Sequence, residues 1–130
     1  MREIIVHCLD ERPNEACGLL VGLGGRVTRV CKVRNVEGSP FDYRVDPEDQ
    51  FRVMQEMERD GLELTAIYHS HPTSDARPSP KDVRLAYYPE AFQVIVSLRG
   101  EPAVRAFHIV DGRVEEASLI VEGSPENGPR

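Results

Sequence analysis

The stretch LELTAIYHSHPTSDARPSPKD, residues 62–82, opens as a strand and closes as a helix start. Leu62 to His69 has the apolar and β-branched content of a buried strand, and it runs directly into two histidines one residue apart. Prolines at 72, 78 and 80 then restrict the path of the chain. Ser79-Pro80-Lys81-Asp82 has the form of a helix N-terminus, with serine at the cap, proline next and a carboxylate in the first turn. The spacing predicts a short helix that starts after Ser79 and runs to about Tyr87.

Working outward from there, DPEDQFRVMQEMERDG (46–61) reads as a second helix. Asp46 is its cap, Pro47 its first residue and Gly61 its stop, with an apolar stripe of Phe51, Met54 and Met57 expected to pack in the core. Upstream, ACGLLVG and GGRVTRVCKVRNV read as a hairpin joined at the glycines of GLGG. Ile4, Ile5, Cys8 and Leu9 recur at helical spacing before Pro13, which predicts a first helix over residues 2–11 with His7 on its surface. Downstream, FQVIVSL, AVRAFHIV and RVEEASLIV (113–121) read as three strands, and His108 is expected to be structural. The order is helix, hairpin, helix, strand, helix, three strands. It specifies an α/β domain with a mixed β-sheet flanked by helices, expected to span residues 1–120, followed by a polar tail, 121–130, expected to be disordered.

With 130 residues and 40% apolar content, the chain suffices for one core and not for two ordinary domains. Its formal charge of −6 is spread along the chain and argues against nucleic acid or an anionic membrane as partner. There is no signal-peptide pattern and no apolar run long enough for a membrane span. Cys8, Cys17 and Cys31 are odd in number and lack CxxC spacing, which fits reduced thiols and a cytoplasmic setting.

Side chains two apart on a strand share a face, so His69 and His71 are presented together while Ser70 turns away. Asp82, eleven residues beyond His71, can close the site from the first turn of the following helix. Two nitrogens and one carboxylate oxygen, with a fourth position left for water, form the ligand set of a catalytic zinc. Ser79 and Asp82 taken alone are equally an ordinary helix start, and a single histidine is more often a surface or hydrogen-bonded residue. The complete pattern of His-x-His, ten residues and Asp, with Ser three before the Asp, favours metal. A non-haem iron site uses a similar set, but the predicted helices do not suit the all-β barrel that commonly carries it. Neither His-Glu-x-x-His nor the nucleobase-deaminase signature is present.

HSHPTSDARPSPKD resembles the signature of the JAMM (JAB, MPN-plus) zinc metallopeptidases, and PNEACGLLVG is similar to that family's upstream glutamate segment. The resemblance covers nearly the whole chain. It implies a JAMM/MPN-like (cytidine-deaminase-like) fold and one Zn2+ per chain, held by His69, His71 and Asp82. It further implies Glu15 as general acid/base and Ser79 as a group that stabilises the oxyanion. From the residues alone, Glu15 would be a solvated turn carboxylate. These roles are chemically coherent: such a zinc acidifies water toward a pKa of ~7, a carboxylate can relay the proton to a departing amine, and a hydroxyl can donate to the developing oxyanion.

The compact size resembles the prokaryote-like standalone peptidases. The expected activity is hydrolysis after the C-terminal Gly-Gly of a ubiquitin-like or sulfur-carrier protein, for example releasing a terminal cysteine. The alternative is a non-catalytic MPN-type scaffold, and the intact ligands and Glu15 count against it. Cys17 as a nucleophile explains neither the paired histidines nor Asp82, and a cysteine leading into GLLVG is more often a small buried residue.

Overall fold

In the computed structural model, which describes residues 1–121, the elements follow in the order α1 (Arg2–Glu11), β1 (Cys17–Leu23), β2 (Arg26–Val33), α2 (Pro47–Asp60), β3 (Glu63–His71), α3 (Pro80–Arg84), β4 (Phe92–Ser97), β5 (Ala103–Val110) and β6 (Arg113–Ala117). The strands form one six-stranded sheet in the order β2-β1-β3-β4-β5-β6. Antiparallel pairing joins β2 to β1, β1 to β3, β4 to β5 and β5 to β6. β3 and β4 are parallel, so the chain between them must cross over, and α3 lies in that crossover. The sheet is therefore mixed, as the order of elements implies. Two tight hairpins have left-handed central residues, Gly24 (φ 58) with Gly25 (φ 81) and Asp111 (φ 51) with Gly112 (φ 78). This is the turn chemistry that matches strand twist.

Alternation along the central strands gives the sheet two buried faces. On one, Ala66 and Tyr68 of β3 join Leu20, Val94 and Val96 beneath Ile4 and Cys8 of α1. On the other, Ile67 packs with Leu19, Val21 and Val53 of α2, and Ile95 with Phe107 and Val83 of α3. His69 and His71 share the parity of Ile67 and emerge on this second face. Tyr68 is fully buried opposite Gly18 of β1, where a Cβ would lie 2.2 Å from the tyrosine ring. Glycine leaves room for that ring, and the Tyr68 hydroxyl reaches His7 Nδ1 of α1 at 2.6 Å. His7 is thus half-buried and tied to the core rather than lying free on the surface.

Three further expectations need correction. Phe51 is 64% exposed, and the inward stripe of α2 instead runs through Val53, the one fully buried apolar residue of that helix, and Met57. Phe51 lies two residues, about 200°, from Val53 and so faces solvent. α3 ends at Arg84 and not at Tyr87, because the chain turns after Leu85 to bring Tyr88 against Gln50 of α2, whose Nε2 donates to the Tyr88 hydroxyl at 2.6 Å. β6 ends at Ala117, its last pairing with β5, rather than at Val121. His108 sits on β5, 2.6 Å from the Pro89 carbonyl, which agrees with a structural role. The tail expected over 121–130 lies, beyond Val121, outside the described residues. Among the described residues no helix is long and apolar enough to cross a membrane.

Candidate metal centre

β3 ends at the histidine pair, and α3 starts where Asp82 can meet it. Ser79 caps α3: its Oγ accepts from the Asp82 amide (3.0 Å), and the Asp82 carboxylate accepts in return from the Ser79 amide (2.9 Å). This reciprocal capping box satisfies two otherwise unpaired helix N–H groups and fixes the direction of the carboxylate. Asp82 Oδ2 then lies 3.0 Å from His71 Nε2 and 3.3 Å from His69 Nε2, and the two nitrogens are 3.2 Å apart. His69, His71 and Asp82 are the metal-capable cluster found among the described residues.

The donor set fits a small cation. His71 donates through Nδ1 to the Asp75 carbonyl (2.8 Å), an atom that can only accept, so the neutral ring presents a bare lone pair at Nε2. That lone pair faces the Asp82 oxygen and the His69 nitrogen; without a cation, burial lowers the His71 pKa but Asp82 and the Asp75 carbonyl outweigh it and raise it, favouring a proton at Nε2 that a bound metal would replace. A tetrahedral ion with bonds of about 2.0–2.1 Å separates its ligand atoms by about 3.3 Å, close to the triangle observed. Burial holds His69 neutral and lowers its pKa against the pull of Asp82. Burial also opposes ionisation of Asp82, but the two imidazoles and the Ser79 amide outweigh it and hold the carboxyl well below the ordinary range. Neutral imidazole and ionised carboxylate are the forms that bind metal.

Glu15 is held from both sides. Its amide donates to the Ser39 carbonyl (2.8 Å) and its own carbonyl accepts from Asn35 Nδ2 (2.9 Å). The neighbouring Ala16 amide donates to Ser70 Oγ (2.8 Å), so the serine that turns away from the metal face anchors the segment carrying Glu15. The Glu15 side chain is only 6% exposed and lines a cavity of about 390 Å³ together with Asp82, Tyr43, Lys81, Phe41 and Tyr87. Burial raises its carboxyl to about 8, with His71 lowering it and Asp82 raising it. A solvated turn carboxylate would show neither property. Cys17 is a core thiol, fully buried and pushed up by that burial to about 12, which leaves it protonated and unreactive.

Other contributors to the site went unread in the sequence. Asn35 uses its whole amide: Nδ2 donates to the carbonyls of Glu15 and Asp42, and Oδ1 accepts from the amides of Glu37 and Arg44. An asparagine at a strand end before a turn-rich segment is a weak hint of such a role. Tyr43, in the same loop, stacks on the His69 ring with centroids 4.4 Å apart and planes at 19°. No local pattern announces it. Lys81 of α3 pairs with Asp42, which ties this loop to the helix across the mouth of the cavity.

Residues 1–110 match the family described as prokaryotic homologs of the JAB domain. The chain is 40% identical over 122 residues to the CysO-cysteine peptidase of Mycobacterium tuberculosis, covering 91% of this chain and 84% of that protein. It is 32% identical over 119 residues to the desampylase of Pyrococcus furiosus, covering 91% and 84%. The solution structure of a Desulfitobacterium hafniense protein superposes with a TM-score of 0.86 at 35% identity, covering 95% of this chain and 89% of that one. A family match over most of its length, together with relatives of this similarity, means that the chain belongs to the prokaryotic JAB-domain family.

Proposed function

We propose that this protein is a zinc-dependent peptidase or isopeptidase. It would hydrolyse the bond after the C-terminal Gly-Gly of a ubiquitin-like or sulfur-carrier protein, for example releasing a terminal cysteine. The observation that carries the reading is the convergence of three atoms capable of binding a metal, near a buried carboxylate that is not one of them. The names of the two relatives, a CysO-cysteine peptidase and a desampylase, support the substrate class. Three free cysteines and the absence, among the described residues, of a membrane-crossing helix suit a cytoplasmic enzyme.

In this reading His69, His71 and Asp82 hold one zinc, which when bound supplies a Lewis acid that acidifies water and polarises the substrate carbonyl. Glu15 takes the proton of the attacking water and hands it to the departing amine. Burial, which raises its pKa in the metal-free fold, keeps the carboxylate a stronger base than a solvated one. Ser79 Oγ already accepts from the Asp82 amide, which leaves its hydroxyl hydrogen free to donate to the developing oxyanion. The cavity walls bring Tyr43, Phe41, Tyr87 and Tyr88 around the entering chain, and a tail without side chains is the one that passes such walls closely.

The test is cleavage, followed by mass spectrometry, of carrier proteins ending in Gly-Gly plus one further residue, in parallel with elemental analysis of the enzyme. About one zinc per chain and release of the terminal residue are expected, with loss of turnover when the last glycine becomes leucine. Equal turnover of both tails removes the narrow groove from the proposal. Full zinc without cleavage of any tail would favour the scaffold reading.

A further inference from the structure

A histidine that binds metal through one nitrogen ordinarily donates its other N–H to a carboxylate, a carbonyl or water, which fixes the tautomer and the plane of the ring. His71 has this arrangement, with Asp75. His69 does not: its Nδ1 is buried with no hydrogen-bond partner among the described residues. The Tyr43 ring instead lies nearly parallel on the imidazole, at 4.4 Å and 19°. We infer that Tyr43 is a positioning residue whose stacked ring holds His69 in its metal-binding orientation, in place of the missing hydrogen bond. This rests on the metal reading proposed above.

The surroundings of Tyr43 suit the task. Both peptide groups that flank it are held by a single side chain, the Asn35 amide, which takes the Asp42 carbonyl and the Arg44 amide at 3.0 Å each. The backbone pairs again at Asn35 and Val45, and Val36 donates to the Arg44 carbonyl. The ring is therefore fixed at its base before it meets the imidazole. On the other side of the site, His71 meets His69 at 5.0 Å and 60°, a tilted contact that is not a parallel stack on the His69 ring. The stacked Tyr43 ring opposes rotation of the imidazole about its Cβ–Cγ bond, which would swing the ring out of its plane and into the tyrosine. Because Asn35 also holds the Glu15 carbonyl, one amide sets both the metal-ligand ring and the proposed proton carrier.

The experiment compares wild type, Tyr43→Phe and Tyr43→Leu. The zinc dissociation constant is measured by competition with a chromogenic chelator, and the visible spectrum is recorded with Co2+ in place of zinc. Phenylalanine keeps the stacked ring and should bind as wild type does. Leucine keeps apolar bulk without the stack and should weaken binding about 10- to 100-fold, the effect usual for losing a ligand's orienting partner, with an altered Co2+ spectrum. Leucine binding as tightly as wild type overturns the inference, and so does phenylalanine weakening as much as leucine, which would assign the role to the hydroxyl. If the leucine variant fails to fold, the metal-free wild type still decides: the stacked ring should shift the His69 Cε1–H resonance upfield, and an unshifted resonance overturns the inference. A wild type that binds no zinc defeats the metal reading itself, an outcome distinct from either of these.

Discussion

Glu15 is a buried carboxylate outside the metal-capable cluster, and its protonation is linked to stability as well as to its proposed role in catalysis. Burial raises its pKa in the metal-free fold from the ordinary 4.5 to about 8. A raised carboxyl favours the fold while protonated, so its contribution is fully present below pH 4.5 and is lost as pH rises through 8. Metal-free Glu15→Gln cannot lose a proton there. It should match wild type at low pH and become progressively the more stable of the two between pH 4.5 and 8, as thermal midpoints across that range would show. With zinc supplied, the variant should keep its metal while kcat/KM falls by roughly 10²- to 10⁴-fold, the usual contribution of general acid–base catalysis. Loss of zinc would make Glu15 a ligand. Retained zinc with near-normal activity would remove it from the mechanism.

At the scale of the elements, α3 would, on the proposed function, carry two duties on one cap. Ser79→Ala removes the hydroxyl that receives the Asp82 amide, at a cost of about 1 kcal/mol, but it keeps the backbone N–H that holds the Asp82 carboxylate. Zinc content should therefore survive, kcat should fall by about 10²-fold or more through loss of an oxyanion donor, and Ser79→Thr should restore both stability and rate. A Ser79→Ala enzyme with unchanged kcat would leave the serine as a cap alone. The starts of α2 and α3 were legible because capping is local chemistry, written at Asp46 and Ser79 within a few residues. The histidine pair was legible because strand alternation is equally local. Where elements stop is decided by distant partners. α3 gives way so that Tyr88 can meet Gln50, and β6 stops where pairing with β5 runs out at Ala117. Tyr43 and Asn35 escaped notice for the same reason, since their roles exist only once the loop after β2 folds back over β3.

For the whole molecule, the sheet order brings Glu15, before β1, beside the end of β3, while the crossover to β4 delivers Asp82 from the other direction. A metal held there would bridge β3 and α3, elements that the chain connects by a loop with two prolines, Pro72 and Pro78. Binding to the folded state alone should raise stability with free zinc by mass action, by about 2.7 kcal/mol at a hundredfold excess over the dissociation constant. The thermal midpoint should accordingly climb with zinc concentration and fall with a chelator, and Asp82→Asn should flatten that dependence. A wild-type midpoint indifferent to zinc would mean that the cluster does not bind it.

The reciprocal cap at the start of α3 also bears on how descent should be read in chains like this one. Ser79 and Asp82 serve the helix whether or not a metal is present, so a lineage that abandoned catalysis would still be under selection to keep both. His69 and Glu15 have no such second employment: a buried imidazole whose Nδ1 has no hydrogen-bond partner among the described residues and a carboxylate that burial pushes toward its protonated form are burdens on a fold that gains nothing from them. They should drift first. In a diverged copy, a surviving Ser-x-x-Asp would then be a relic of architecture, and the presence of the His-x-His pair and the glutamate would be the sign that chemistry is still under selection.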